Sequence, residues 1–337
     1  MERMKKLLLI ATGGTIASKY TDNGLTPQVD ADSLLEHVPE HREFCEADTI
    51  QPLNLDSTNI QPENWKAMAA VIEKHYEYYD GFVICHGTDT MAYTAAALSY
   101  LIQNNNKPIV ITGAQKPIGF PTTDAKKNLL DSMRFAADDR AHGVNIVFGG
   151  QVIAGTRAKK ERSHSYNAFT SINFPPIAHI NDKHITMFID DKFATNKRLR
   201  FYHSLDKKVI LMKLVPGMDG HVLDALFDYC DAIIIESFGV GGLPNYGENS
   251  FYDAIKRFID AGKVVVMATQ VTHEGSDMAV YQVGKMIKSD FDLPESYDMT
   301  LEATVAKTMW ALSHSSNAEE FKALFYSHIN HDLLMEV

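Results

Sequence analysis

The chain has 337 residues, 45% of them hydrophobic and 22% charged, enough for one large or two medium domains with their own cores. Acidic residues outnumber basic ones 43 to 32, a formal net charge of −11. That balance opposes the counterion release that drives nucleic-acid binding, and the longest basic stretch, residues 157–162, is interrupted by Ala158 and Glu161. Cys45, Cys85 and Cys230 show no CxxC spacing, and the histidines form no HExxH, so neither a disulfide framework nor a metal site is expected.

The first element is a strand over residues 6–11. Its basic start and aliphatic run resemble the opening of a signal peptide. The run covers only residues 7–11, short of an h-region, and no small-residue cleavage site comes after it. A buried strand and a cytoplasmic location are expected. No segment approaches the ~18 apolar residues of a membrane span.

Further strands are predicted around 49–55 and at 81–85, 108–112 and 144–148. A helix over 62–79 opens on Pro62, suited to a first turn, and places Trp65, Met68, Ala69 and Ile72 on one face. Residues 90–103 and 124–137 read the same way. Apolar strands separated by helices indicate a parallel sheet covered on both faces. Residues 166–206 break the rhythm and read as extended excursions and a linker. Strands at 208–214, 232–236 and 264–269 then alternate with helices at 219–229, 250–261 and 300–312. The expected fold is two α/β domains. The larger, N-terminal parallel-sheet domain spans 1–190, a linker 191–207 and the smaller C-terminal domain 208–337.

Ligands gather beyond the carboxyl ends of parallel strands. After the successive N-terminal strands come Thr12-Gly13-Gly14-Thr15, then Asp56-Ser57-Thr58-Asn59, then His86-Gly87-Thr88-Asp89-Thr90, then Gly113-Ala114-Gln115-Lys116, and finally the stretch reaching Lys160. Taken singly these are ordinary. Thr and Gly are turn residues, Asp89 would cap a helix, His86 would be a satisfied core histidine and Lys160 a solvated charge. Neither GxGxxG nor GxxxxGK[ST] is present, so the glycines do not read as a phosphate loop. Together they form a rim of hydroxyls, glycines, one carboxylate and lysines. Exposed N–H groups in the glycine turns suit an oxyanion.

ATGGTIAS at 11–18 and HGTDTMAYT at 86–94 resemble the two signature segments of bacterial-type L-asparaginases. LDSTN at 55–59, PIVITGAQKP at 108–117 and ESFGVGGLP at 236–244 share the same pattern, and the whole most resembles the cytoplasmic type I branch. The resemblance implies hydrolysis of L-asparagine to L-aspartate and ammonia through a threonine acyl-enzyme, with weak glutaminase side activity and no cofactor. It implies Thr15 as nucleophile, Thr88 and Asp89 as the second threonine and its acidic neighbour, and Lys160 as their supporting lysine. Ser57 would hold the substrate α-carboxylate and Asp89 its α-ammonium, with Gly14, Thr58 and Ala114 also against the substrate. It further implies a homodimer or homotetramer, with neither nucleic acid nor membrane as partner.

Two departures stand out. The family's lid tyrosine is replaced by Leu25, with Tyr20 nearby, and Gly242 stands where many relatives carry an asparagine. The related amidotransferase subunit is disfavoured because the first strand begins within a few residues of Met1 and the chain is acidic. A non-catalytic amino-acid sensor is disfavoured by the paired threonines, Asp89 and Lys160.

Overall fold

The computed structural model describes residues 3–21, 24–189, 197–205, 208–244, 251–280 and 282–334. The chain forms two units, Met1–His203 and Ser204–Val337.

The first unit opens with β1 (Lys5–Ala11), the hairpin β2 (Ser18–Thr21) and β3 (Gly24–Pro27), α1 (Ala31–Glu36) and β4 (Cys45–Ile50). It continues through α2 (Pro62–His75), β5 (Gly81–Cys85), α3 (Met91–Leu101), β6 (Ile102–Gln103), β7 (Ile109–Thr112) and α4 (Ala125–Ala136). Next come β8 (Val144–Phe148), β9 (Gln151–Ala154), β10 (Ala158–Lys160), β11 (Phe169–Ser171), β12 (Ala178–Asn181), β13 (His184–Met187) and β14 (Arg200–Phe201).

Eight of these strands make one sheet in the order β13-β12-β9-β8-β7-β5-β1-β4. The five strands from β8 to β4 are parallel, as the unbroken apolar runs predict, but β9, β12 and β13 add an antiparallel edge. The sheet is therefore mixed. Residues Leu7, Leu9, Ala11, Val83 and Val110 pack with Leu34 of α1 and with Leu129 and Met133 of α4. The alternate residues Leu8, Ile10, Phe82, Ile84, Ile109 and Ile111 are equally buried, so both faces are covered.

Three differences from the sequence reading have physical reasons. The second strand is Cys45–Ile50, earlier than expected, because an edge strand carries polar Glu46 and Asp48 and escapes a search for apolar runs. Residues 166–206 contain β11 to β14 rather than only excursions. Those strands are two to four residues long, and β12 alternates buried Ala178 and Ile180 with exposed His179 and Asn181. The helix predicted to reach 79 ends at His75 and tightens into a 3-10 turn over Tyr76–Tyr78. Its predicted face, Trp65, Met68, Ala69 and Ile72, is the buried one.

The second unit holds β15 (Val209–Lys213), α5 (His221–Leu226), β16 (Ala232–Ser237), α6 (Tyr252–Asp260), β17 (Val264–Thr269), α7 (Gln282–Phe291), α8 (Leu301–Ser313) and α9 (Ala318–Phe325). Its three strands are parallel in the order β15-β16-β17. Beneath its helices, Lys307 and Asp332 form a fully buried ion pair at 2.6 Å. No helix among the described residues is long and apolar enough to cross a membrane.

The site is positioned by the switch in strand order. From β1 the chain moves outward to β4, then returns to the other side of β1 as β5 and moves on to β7 and β8. A crevice opens where neighbouring strands lead in opposite directions, beyond the carboxyl ends of β1 and β5. Glycines close the gap there. At Gly13, φ +106°, a Cβ would lie 2.4 Å from the Leu55 carbonyl oxygen, where the Thr12 turn bonds to Leu55. We expect Gly13→Ala to cost about 3 kcal/mol or more by urea unfolding, since the left-handed backbone and the collision act together. Gly119→Ala, with nothing within 4 Å of its Cβ, is expected to stay within about 0.5 kcal/mol of wild type.

Candidate active site

The turn after β1 and the turn after β5 touch through their glycines. Gly14 has φ +77° and ψ −179°, a region open essentially to glycine alone. A Cβ on Gly14 would lie 2.3 Å from the Gly87 nitrogen, and one on Gly87 would lie 2.6 Å from Ser57 Oγ. Thr15 comes directly after Gly14 and Thr88 after Gly87, so these contacts bring the two threonine turns and Ser57 to one place. The Gly14 amide is already spent, donating to the Leu55 carbonyl at 3.0 Å, and its carbonyl accepts from Ser18 Oγ at 2.9 Å. Gly14 therefore supplies room. Thr15 opens a 3-10 turn over Thr15–Ala17 and is half-buried.

Lys160 arrives from the end of β10, held by pairing with Phe169 of β11. Its ammonium donates to Thr88 Oγ1 at 2.8 Å and to Asp89 Oδ1 at 2.6 Å. The lysine side chain is 16% exposed and the aspartate 59%, so the pair stands at the rim, where screening limits its worth to stability. Asp89 does not cap α3, which has Thr90 at its N-cap without a side-chain bond. Ser57 is buried, and its Oγ accepts the Asp89 amide at 3.3 Å. Thr90 Oγ1 donates to the Ser57 carbonyl at 2.7 Å, tying the LDSTN turn to the HGTDT turn. Thr58 stands apart in role: it is exposed and its hydroxyl donates to Asp56 at 2.8 Å. Ala114 is fully buried in the turn after β7. Tyr20 and Leu25 pair in the β2–β3 hairpin, but their side chains lie outside the described residues. Gly242 pairs with Phe238 in the second unit.

His86 is a satisfied core histidine. Its Nδ1 lies 2.7 Å from the Gly87 carbonyl and its Nε2 2.9 Å from Thr94 Oγ1, which accepts from Trp65 Nε1 at 2.9 Å. A carbonyl only accepts, so Nδ1 carries the proton and Thr94 donates to Nε2. Burial holds His86 down to about 4 from its ordinary 6.5, partly opposed by the Gly87 carbonyl. It is neutral and enclosed, not a base for the site. Sequence reasoning missed its partners Thr94 and Trp65, and nothing in their local pattern marks them. It also missed Asp124 and Asn128, which brace the Ala114 turn. Among the described residues no cluster of His, Cys, Asp and Glu suits a metal ion.

The class these features define is a two-unit α/β enzyme in which two threonine-bearing turns, one with its hydroxyl bonded to a lysine, meet at a sheet switch point. The family model for the N-terminal domain of asparaginase matches residues 6–192, and that for the glutaminase/asparaginase C-terminal domain matches residues 208–325. The L-asparaginase of Thermococcus kodakarensis is 38% identical over 325 residues, covering 96% of this chain and 98% of that one. L-asparaginase 1 of Escherichia coli K12 is 32% identical, covering 98% of both. A glutamyl-tRNA(Gln) amidotransferase subunit of Pyrococcus abyssi is also 32% identical, over 95% of this chain and 75% of that protein. Among solved structures, the T. kodakarensis enzyme superposes with TM-score 0.92 at 36% identity, covering 98% of this chain and all of that one. L-asparaginase I of Vibrio cholerae superposes with TM-score 0.87 at 30% identity, covering 99% and 100%. The chain belongs to the asparaginase family. It is an enzyme of the class that hydrolyses linear amides, and its structural neighbours include a type I member.

The buried histidine makes a measurable prediction. As pH falls through 6.5 the unfolded chain protonates at this position, whereas the folded chain resists until about 4. The stabilisation is complete above 6.5 and is lost between 6.5 and 4. We expect it to amount to about 3 kcal/mol, read from urea midpoints across that range. His86→Gln should flatten that part of the pH dependence, and an unchanged slope would show that His86 is not its source.

Proposed function

We propose that the site hydrolyses the side-chain amide of L-asparagine, giving L-aspartate and ammonia, through an acyl-enzyme on Thr15. The observation that carries this reading is Lys160, whose ammonium touches both the Thr88 hydroxyl and the Asp89 carboxylate beside the Thr15 turn. A bare amino-acid pocket has no use for a lysine held against a threonine hydroxyl.

An aliphatic hydroxyl is a weak nucleophile and needs activation. Thr15 Oγ1 attacks the carboxamide carbon, and the developing oxyanion needs preorganised donors. The amides of Thr15 and Thr88 suit that task, because neither donates to an acceptor among the described residues. The spent Gly14 amide does not. The proton lost by Thr15 Oγ1 on attack is delivered to the leaving nitrogen, and ammonia departs as the C–N bond breaks. Water then attacks the ester, with Thr88 and Lys160 supporting its deprotonation electrostatically.

Selectivity comes from the other rim groups. Asp89 bonds Lys160 through one oxygen, and the second makes no bond among the described residues and suits the α-ammonium. Ser57 Oγ accepts from the Asp89 amide and keeps its own proton for the α-carboxylate. Glutamine differs by one methylene, a discrimination of about 1–3 kcal/mol, so weak glutaminase activity accompanies the main one.

We place the enzyme in the cytoplasm, a reading supported by the first aliphatic run being built into the sheet as β1. We also propose a homodimer or homotetramer, the assembly that the family resemblance implies.

Ammonia release from asparagine tests the reading. We expect Thr15→Ala and Thr88→Val each to lose at least about a thousandfold in kcat with the fold intact. Lys160→Met should lose at least about a hundredfold. Near-normal turnover in Thr15→Ala would remove Thr15 as nucleophile. Asparagine binding without ammonia release by the wild type would leave a sensor.

A further inference from the structure

Lys160 is the last residue of a very short strand. β10 pairs with β11 at only three positions, Ala158 with Ser171, Lys159 with Thr170 and Lys160 with Phe169. A two-stranded ribbon is marginal by itself and opens from its ends. The β11 side is anchored, with the Phe169 ring 5.0 Å from that of Phe148. Lys160 stands at the other side, next to the connecting loop 161–167, and every residue of that loop is exposed. The loop's hold on itself is slight. The Glu161 and Arg162 amides share the Ala168 carbonyl at 2.8 and 3.3 Å, and Arg162 Nη1 donates to the Asn167 carbonyl at 3.0 Å. Held only so, the loop would carry the backbone of Lys160 with it as it moved.

The turn after β7 supplies a second grip. Gln115 Nε2 donates to the Ser165 carbonyl at 3.1 Å and to the Arg162 carbonyl at 3.4 Å. Both carbonyls can only accept, so the nitrogen of the carboxamide is the atom turned toward them. The neighbouring Lys116 ammonium lies 5.7 Å from the centre of the Tyr166 ring. Gln115 is itself firmly held. Asp124 immediately precedes α4, yet its side chain caps no amide of its own helix. The carboxylate turns back and accepts the Gln115 amide at 2.9 Å and the Lys116 amide at 3.1 Å. Asn128 Nδ2 steadies it at 3.2 Å, and the Thr123 hydroxyl serves the helix end, accepting from the Ala125 amide at 3.0 Å. Asp124 and Asn128 are 7% and 1% exposed. An exposed loop is thus tied to a turn whose own bonds are buried.

We infer that Gln115 is a positioning residue for Lys160. By gripping the Arg162 and Ser165 carbonyls it fixes the loop that leaves the lysine, and so keeps the ammonium on the Thr88 hydroxyl and the Asp89 carboxylate. The inference rests on the amide-hydrolysis reading above, in which that ammonium acts. Misplacing a catalytic group by about 1 Å costs up to about a hundredfold in rate. A ribbon end that opens for part of the time loses a share of that, about tenfold. Gln115 acts only through the lysine, and this separates it from a residue that merely braces the fold.

The test is a double-mutant cycle on kcat for ammonia release from L-asparagine, with Gln115→Met, Lys160→Met and the two combined. Methionine keeps the length of the side chain and removes its donors. Gln115→Met alone should lower kcat about tenfold. In the Lys160→Met background, where no ammonium is left to misplace, it should cost less than about twofold. Trypsin cleavage after Arg162, followed by fragment mass, should quicken about tenfold in both backgrounds, because the loop is freed in both. Equal losses of kcat in the two backgrounds would make Gln115 independent of Lys160 and overturn the inference. Unchanged cleavage, or an unchanged kcat in Gln115→Met, overturns it as well. If Gln115→Met does not fold, or Lys160→Met releases no ammonia, Arg162→Ala decides. It loosens the same loop at its bond to Asn167 and should lower kcat about threefold, and an unchanged kcat overturns the inference. A wild type that releases no ammonia overturns the underlying reading itself, whatever the cleavage rates.

Discussion

Backbone meeting backbone at Gly14 and Gly87 is the contact on which the rest of the site depends. Parallel neighbours such as β1 and β5 run about 4.8 Å apart, and side chains at their ends would hold the turns beyond them away from each other. With no Cβ at Gly14 or Gly87 the turns close on each other and on Ser57. The turns that carry Thr15 and Thr88 then lie together although they are far apart in the chain. Glycines give up much conformational entropy on folding. Here that loss is offset by strands buried on both faces, with Leu8, Ile10, Val83 and Ile84 each 2% exposed or less.

Around that contact the charges are sorted by depth. Lys160 and Asp89 form their ion pair at the rim, where water screens them and the aspartate can meet a second cation. Directly behind, the chain from Trp65 through Thr94 to His86 and the Gly87 carbonyl is neutral throughout. A protonated imidazole there would be a second cation close to Lys160 without solvent to screen it. Keeping His86 neutral lets it anchor the turn carrying Thr88 without disturbing the charge balance at the hydroxyl. Asp124 handles the third turn in the opposite way, with a buried carboxylate answered by backbone and amide donors.

The elements legible in the sequence are those whose burial is uniform. Leu7 to Ala11 and Gly81 to Cys85 lie inside the sheet with both faces covered, and their apolar runs say so directly. The α2 face was readable because its outer side is solvated, leaving Trp65, Met68, Ala69 and Ile72 as the apolar positions of a 3.6-residue period. The edge strand β4 and the short antiparallel β12 and β13 were not. One side of an edge strand faces water, and a four-residue strand carries too little pattern to stand out from a loop.

The sequence by itself determined the α/β class, the family through its paired TGGT and HGTDT segments, and the candidate residues Thr15, Ser57, Thr88, Asp89 and Lys160. Local composition suffices for these, because apolar runs, turn glycines and hydroxyls are properties of neighbours along the chain. Only the tertiary structure decided which of them meet. The order that sets β1 beside β5, the arrival of Lys160 at a threonine 72 residues away, and the turning of Asp124 from its own helix to the Ala114 loop all depend on contacts between distant segments. A carboxylate before a helix looks the same in sequence whether it caps that helix or holds a neighbouring loop. Its partners are chosen by packing.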